Sequence, residues 1–115
     1  MARIRHNVMT YAEADAKIGK YSSKKIGHNT FLRRDDGIIS IQYHATKIVT
    51  INKDGSYTLN TGGYKTVTTK ARLNEYTPAQ IYQKDFTWYN NGDLYYDGMI
   101  VDSAGKALES FFAPV

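Results

Sequence analysis

The turn signals in the first half of the chain restrict its fold more than any other feature of the sequence. Asp35-Asp36-Gly37 and Lys53-Asp54-Gly55 are typical of hairpin turns, and they separate short runs in which apolar and polar residues alternate. These runs cover residues 29–34, 38–44, 46–52 and 56–60. Alternation predicts an antiparallel meander with one packed and one polar face. In the third run it assigns one face to Lys47, Val49 and Ile51.

One helix is predicted before this meander. Thr10 is expected to cap the helix Tyr11–Ile18, with Glu13 completing a capping box and Gly19 ending the helix. The segment Lys20–Lys25 is rich in Ser and Lys, and we interpret it as an exposed polar loop.

The C-terminal part is predicted to be an aromatic β-hairpin. Gln80–Tyr89 reads as one strand, Asn90-Asn91-Gly92 is a strong turn signal, and Asp93–Asp102 would return as the partner strand with a bend at Gly98. Ala107–Phe112 is expected to form a final helical turn. The fold class is therefore α+β, in one domain. Its parts are a basic arm at 1–9, a core at 10–76 and the hairpin at 78–115.

Charge is distributed unevenly along the 115 residues. Residues 1–76 hold 13 Lys and Arg against 6 Asp and Glu, whereas residues 77–115 hold 2 against 5. A basic first part suits phosphate-bearing partners, although charge runs are often only solvated surface. The sequence has no Cys, which excludes disulfides and thiolate chemistry. It also lacks a signal peptide and a membrane-length apolar run, so a cytosolic protein without membrane partners is expected.

The segment after the meander is the first candidate site. Gly62-Gly63 permits a tight turn, and a short helix is predicted over Thr69–Tyr76, capped by Thr68 or Thr69 and ended at Pro78. Free N–H groups at a helix N-terminus favour anions, so this segment is expected to cradle a phosphate. The residues assigned to the cradle are Lys65, Thr66, Thr68, Thr69, Lys70 and Arg72. The spacing of a nucleotide-hydrolysing P-loop is absent.

His44 is the second candidate, because histidine is the side chain best suited to proton transfer near neutral pH. The alternative is a half-exposed strand histidine that bonds a neighbouring Thr. The three histidines are too scattered for a metal site, and no cofactor is expected. Tyr43 and Tyr64 are placed to stack a base, or simply to pack against the sheet.

Three segments together carry a resemblance: TYAEA at 10–14, KIGHNTFLRR at 25–34, and YHATKIVTINKDGSYTLNTGGYKTVTTKARLN at 43–74. They are similar to a widespread family of small tailed-phage proteins with the pattern N-N-T-x-L, L-H-x-T-x-I-V-T and L-N-S-G-G-W-x-T-x-T-T-x-x-R-I-N. This chain departs from the pattern at His28, Tyr43, Thr61, Tyr64 and Leu73. The resemblance covers residues 10–76 and does not extend beyond Pro78.

The resemblance implies a phage protein in the cytoplasm of an infected bacterium. Small phage proteins of this sort include counter-defence factors against CBASS and Thoeris immunity, which cleave or sequester a nucleotide signal. By motif position the polar set of the family would be His44, Thr46, Thr66, Thr68, Thr69, Arg72 and Asn74.

Three hypotheses follow. The first is a metal-independent phosphodiesterase that cleaves a cyclic oligonucleotide of the 3′3′-cGAMP type, with His44 as general base and Lys65 holding the phosphate. Tyr64 or Tyr43 would stack a base or protonate the leaving oxygen. The second is a sponge that sequesters a cyclic nucleotide or an ADP-ribose-derived signal, built as a homo-oligomer, most simply a dimer. The third is a nucleic-acid-binding protein that uses the basic arm and residues 20–34.

Overall fold

The computed structural model describes residues 7–108 and has two helices and nine strands within that range. In chain order the elements are α1 Tyr11–Ile18, β1 Ser23–Gly27, β2 Thr30–Asp35, β3 Ile38–Tyr43, β4 Thr46–Ile51, β5 Tyr57–Leu59, α2 Val67–Tyr76, β6 Ile81–Lys84, β7 Thr87–Asn90, β8 Asp93–Leu94 and β9 Ile100–Val101. The α+β class and the antiparallel meander predicted from the sequence are confirmed.

Two antiparallel sheets share one core. The larger sheet has the order β1-β2-β3-β4-β5-β9, and the smaller one has the order β6-β7-β8. Leu32, Ile41, Val49 and Leu59 face one another across successive strands, and all four are fully buried. Both helices pack on this side, which we call the helix face. The opposite side of the six-stranded sheet is called the open face.

Helix α1 begins and ends where the sequence predicts. The Thr10 hydroxyl accepts a hydrogen bond from the Glu13 amide at 3.2 Å, and the Glu13 carboxylate accepts one from the Thr10 amide at 2.8 Å. This reciprocal pair is the predicted capping box. Ala14 and Ile18, four residues apart, are the buried side chains that fix the helix against the sheet.

The predicted face of β4 is correct for Val49 and Ile51 but wrong for Lys47, because the strand contains a bulge. Ile41 pairs with Val49 and Gln42 pairs with Lys47, so Ile48 is an extra residue in the ladder. The bulge buries both Ile48 and Val49 and leaves Lys47 exposed on the open face. Strict alternation cannot continue through such an irregularity.

Two local predictions are corrected in the first part of the chain. The loop predicted over Lys20–Lys25 ends at Ser23, where the edge strand β1 begins and pairs with β2. Its lysines fit an edge position, where charged residues oppose pairing with other chains. Helix α2 begins two residues earlier than predicted, because Thr66 is the N-cap and its hydroxyl accepts from the Thr69 amide.

The C-terminal predictions need larger corrections. Gln80–Tyr89 is not one strand, since a turn at Asp85-Phe86, with both residues at positive φ, divides it into β6 and β7. Asp93–Asp102 is also divided: β8 stays in the small sheet, but β9 pairs with β5 of the large sheet. The chain bends at Gly98, as predicted. Ala107 forms a bridge with Val101 instead of entering a helical turn, and 109–112 lie outside the described residues.

Candidate functional site

A cleft of about 490 Å³ opens between the β3–β4 hairpin, the glycine turn and the N-terminus of α2. This volume lies within the range of small-molecule sites. Its lining combines aromatic rings, hydroxyl groups and an apolar floor. The lining residues are Tyr43, His44, Ala45, Thr46, Ile48, Thr61, Tyr64, Thr66, Thr68 and Thr69.

The hairpin places His44 at the mouth of the cleft. Tyr43 pairs with Thr46, so His44 and Ala45 form a two-residue turn, in which His44 has a φ of 54°. The His44 amide donates to the Asn29 carbonyl at 2.9 Å, which ties this turn to the β1–β2 turn beside it. The Tyr43 and His44 rings meet edge to face with centroids 4.4 Å apart. The result is an exposed imidazole held against an aromatic wall.

The glycine turn approaches the hairpin closely because Gly62 has no side chain. A Cβ on Gly62 would lie 2.8 Å from the Thr46 methyl group, and its φ of +64° also favours glycine. The turn is anchored from beneath by Asp97, which accepts from the Thr61 amide and the Thr61 hydroxyl, each at 2.9 Å. Tyr64, 67% exposed, follows the turn and forms the outer wall of the cleft.

Asp97 also accepts a hydrogen bond from the buried Tyr95 hydroxyl at 2.8 Å. Burial, and then the adjacent carboxylate, raise the pKa of Tyr95 far above its usual value. Tyr95 therefore stays neutral and remains a donor to Asp97 throughout the physiological range. The glycine turn is in this way supported by the C-terminal segment.

Helix α2 directs its N-terminus to the cleft. Thr66 caps the helix, and its hydroxyl also donates to the Thr69 hydroxyl at 2.9 Å. The first turn carries no acidic residue. Since the first N–H groups of a helix have no intrahelical acceptor, this end of the cleft favours a negatively charged group.

The structure gathers most of the residues that the sequence singled out and separates four from the cleft. Those that line it are Tyr43, His44, Thr46, Tyr64, Thr66, Thr68 and Thr69. The Lys65 ammonium lies 6.0 Å from the Tyr95 ring centroid, and that of Lys70 lies 5.9 Å from the Trp88 ring centroid, so both lean towards the small sheet.

Arg72 and Asn74 make structural contacts away from the cleft. The Arg72 guanidinium stacks over Tyr43 at 5.6 Å, donates to the Thr30 hydroxyl and pairs with Glu75. It thus supports the aromatic wall from behind. Asn74 exchanges two hydrogen bonds with the backbone of Ile81, joining α2 to β6. A phosphate contact by Arg72 or Asn74 stays a prediction, and the observed positions of the two side chains do not support it.

Three lining residues were not singled out from the sequence: Ala45, Ile48 and Thr61. Thr61 precedes Gly62 in the chain, so its position beside the turn could have been predicted from the sequence. Ile48 had no comparable signal, because its entry into the cleft depends on the β4 bulge.

The arrangement suits a ligand with a flat ring and an anionic group. Tyr43, His44 and Tyr64 offer stacking surfaces, whereas the threonines and the helix N-terminus offer donors. No carboxylate is among the lining residues that the structure describes. Over residues 7–108 there is also no group of three acidic or histidine side chains arranged to hold a metal, and no helix there has the length and apolarity needed to cross a membrane.

Comparison with known proteins identifies the family of the chain. No curated protein and no solved structure matches it. A family model described as Kyanoviridae Gp96 protein matches residues 4–104, which is most of the sequence and extends well past the segment that carried the resemblance to phage proteins. The chain therefore belongs to the Kyanoviridae Gp96 family of phage proteins.

Proposed function

We propose that this phage protein binds a nucleotide immune signal in the cleft and withholds it from the defence system of the infected bacterium. The observation that carries the proposal is the cleft itself: stacking surfaces line its sides and an acid-free helix N-terminus lies at its end. A base would stack against Tyr64 or Tyr43, and a phosphate would accept from the threonine hydroxyls and α2 amides. A cytoplasmic location and a homodimer belong to the same proposal.

Sequestration has more geometric support than cleavage. A metal-independent phosphodiesterase would use His44 as base, and it normally needs a second group as acid. Lys65 leans towards Tyr95, and the lining that the structure describes has no carboxylate. Tyr64 is the acid candidate that the cleft retains, at an exposed position. Binding requires only the groups already present.

The test is incubation of the protein with a panel of cyclic dinucleotides, cyclic trinucleotides and cyclic ADP-ribose isomers, with EDTA. Chromatography would follow the free nucleotide before and after heat denaturation. For a sponge, one member leaves the free pool and returns intact when the protein is denatured. New products that depend on His44 would instead establish cleavage, and a panel with no bound member would reject the proposal.

Matched substitutions locate the binding to the cleft. Tyr64→Leu is expected to weaken binding about tenfold by removing a stacking surface, whereas Tyr21→Leu, at a similarly exposed position outside the cleft, should leave binding unchanged. His44→Ala is compared with His28→Ala, which removes the imidazole from the neighbouring turn. Equal losses for Tyr64→Leu and Tyr21→Leu, measured by calorimetry, would contradict a site in the cleft.

A further inference from the structure

The open face of the six-stranded sheet is a second surface with its own chemistry. Side chains from the helix face reach the two helical regions: Arg34 bonds Asp15 of α1, and Thr30 bonds Arg72 of α2. Phe31 and Arg33, which alternate with Thr30, Leu32 and Arg34 along β2, therefore point to the opposite side. In the part of the chain that the structure describes, neither helix packs there.

One row of open-face residues crosses four strands in register. Lys25 pairs with Phe31, Phe31 with Gln42, and Gln42 with Lys47. A half-buried aromatic ring and an amide thus lie between two exposed lysines. At about 4.8 Å between strands, the two ends of the row are about 14 Å apart.

A parallel row supplies hydroxyl groups and a third cation. In strand order it contains Ser23, Arg33, Ser40, Thr50, Thr58 and Ile100. Arg33 stands next to Phe31 on β2, two residues along the strand. Its Nε is buried and has no hydrogen-bond partner among the described residues. Its Nη2 lies 4.0 Å from a carboxylate oxygen of Asp35.

The charge of this surface is positive around Phe31, whereas Asp36, Lys53 and Asp54 lie at the other end, beside Thr50 and Thr58. Lys25, Arg33 and Lys47 contribute three cations, and Asp35 contributes one carboxylate, which Lys47 contacts at 3.1 Å. Such exposed ion pairs are weak, so a phosphate that approaches the face can compete with Asp35 for both cations. A polyanion is the partner that this charge complements.

We propose that the open face binds single-stranded nucleic acid. The lysines and Arg33 follow the phosphate backbone, a base stacks on Phe31, and the Gln42 amide bonds a base edge. An unpaired strand fits better than a duplex, because only splayed bases expose a ring face to Phe31 and an edge to Gln42. This surface is on the other side of the sheet from the cleft and does not depend on the nucleotide proposal.

The test is fluorescence anisotropy with a short labelled oligothymidine at low and near-physiological salt. Phe31→Leu, which keeps apolar bulk but loses the ring, is expected to weaken binding about tenfold. Lys25→Gln with Lys47→Gln should reduce the slope of log affinity against log salt by about 1.4, since each phosphate contact to a single strand contributes about 0.7. Lys84→Gln, a lysine of the small sheet, is the control and should change neither quantity.

Asp35→Asn supplies a test in the opposite direction, since it removes the competing carboxylate and should tighten binding severalfold. Circular dichroism of each variant separates a lost contact from a lost fold. The proposal is overturned by a wild-type protein that does not bind at low salt, by Phe31→Leu binding as the wild type does, or by weaker binding of Asp35→Asn. If duplex DNA competes as well as the single strand, the proposal is also rejected, because binding would then rest on charge and not on contacts with unpaired bases.

Discussion

The two sheets are both antiparallel, but the contacts that stabilise them differ in how far apart their residues lie in the sequence. In the large sheet β1 to β5 follow one another in space as in sequence, and each neighbour is reached through a short turn. The small sheet is held from outside: Gly105 packs on Pro78, and Asn90 bonds Gly105, although these residues are far apart in the chain. Strands β1 to β5 are stabilised by local pairing, whereas β9 joins them from far along the chain and the small sheet also needs contacts with distant segments.

The cleft depends on both kinds of contact. Its hairpin wall belongs to the large sheet, whereas its glycine turn depends on Asp97, which follows the small sheet. A change in the C-terminal segment should therefore affect the site at a distance. Three substitutions test the comparison, beginning with the largest expected effect.

Gly105→Ala should destabilise the protein most. An added Cβ would lie 2.1 Å from the Pro78 carbonyl oxygen, at a φ of +86°, so the backbone of the C-terminal segment must move. We expect a loss of about 3 kcal/mol or more in the free energy of unfolding. Gly37→Ala is the matched change in the large sheet: φ is +78° with open space around it, and the loss should be about 1 kcal/mol. Equal losses in urea denaturation would contradict the comparison.

Asn90→Ala should follow, with a loss of about 2 kcal/mol. The fully buried Asn90 amide accepts from the Gln80 amide and donates to the Gly105 carbonyl, which Asn91 also contacts. Its removal leaves the Gln80 amide without this acceptor and a cavity where a buried side chain packed. Asn91→Gly is the control, because it removes an exposed amide that also bonds Gly105 and keeps the left-handed backbone. Thermal unfolding should place Asn91→Gly within about 0.5 kcal/mol of the wild type. If Asn91→Gly loses as much stability as Asn90→Ala, burial of the amide does not determine the size of the effect.

Tyr95→Phe should have the smallest effect at neutral pH, about 1 kcal/mol, from the lost hydrogen bond to Asp97. The effect depends on pH, because burial raises the pKa of Tyr95 in the folded state. Above about pH 10, the unfolded tyrosine loses its proton and the folded one keeps it, so wild-type stability falls by up to about 1.4 kcal/mol per pH unit from this group. The variant lacks that contribution and should lose stability less steeply.

Denaturation curves measured from neutral to alkaline pH check this sign. The two stabilities should converge as pH rises. Tyr57→Phe should behave in the same direction, since burial also raises the pKa of Tyr57. Stability curves that stay parallel to that of the wild type would show that neither hydroxyl is held neutral by its burial.

The candidate site could be predicted from the sequence where its parts are local. Gly62 and the capping threonine lie within a few residues of each other, so a turn leading into a helix N-terminus was recognisable. The sequence also predicts Lys65, Lys70 and Arg72 in this cradle, but the directions of their side chains depend on aromatic rings elsewhere in the fold. Ile48 enters the cleft through a bulge that periodicity does not reveal.

The sequence by itself determined the meander, because the turns at Asp35-Asp36-Gly37 and Lys53-Asp54-Gly55 are encoded by adjacent residues with a known backbone preference. It also determined the start of α1, since a capping box is completed within one helical turn. Only the tertiary structure decided that 93–102 divides between two sheets and that Asp85-Phe86 turns. The division of 93–102 depends on the burial of Val101 beside β5, which is distant in the chain, and the free energy of such burial has no local signal.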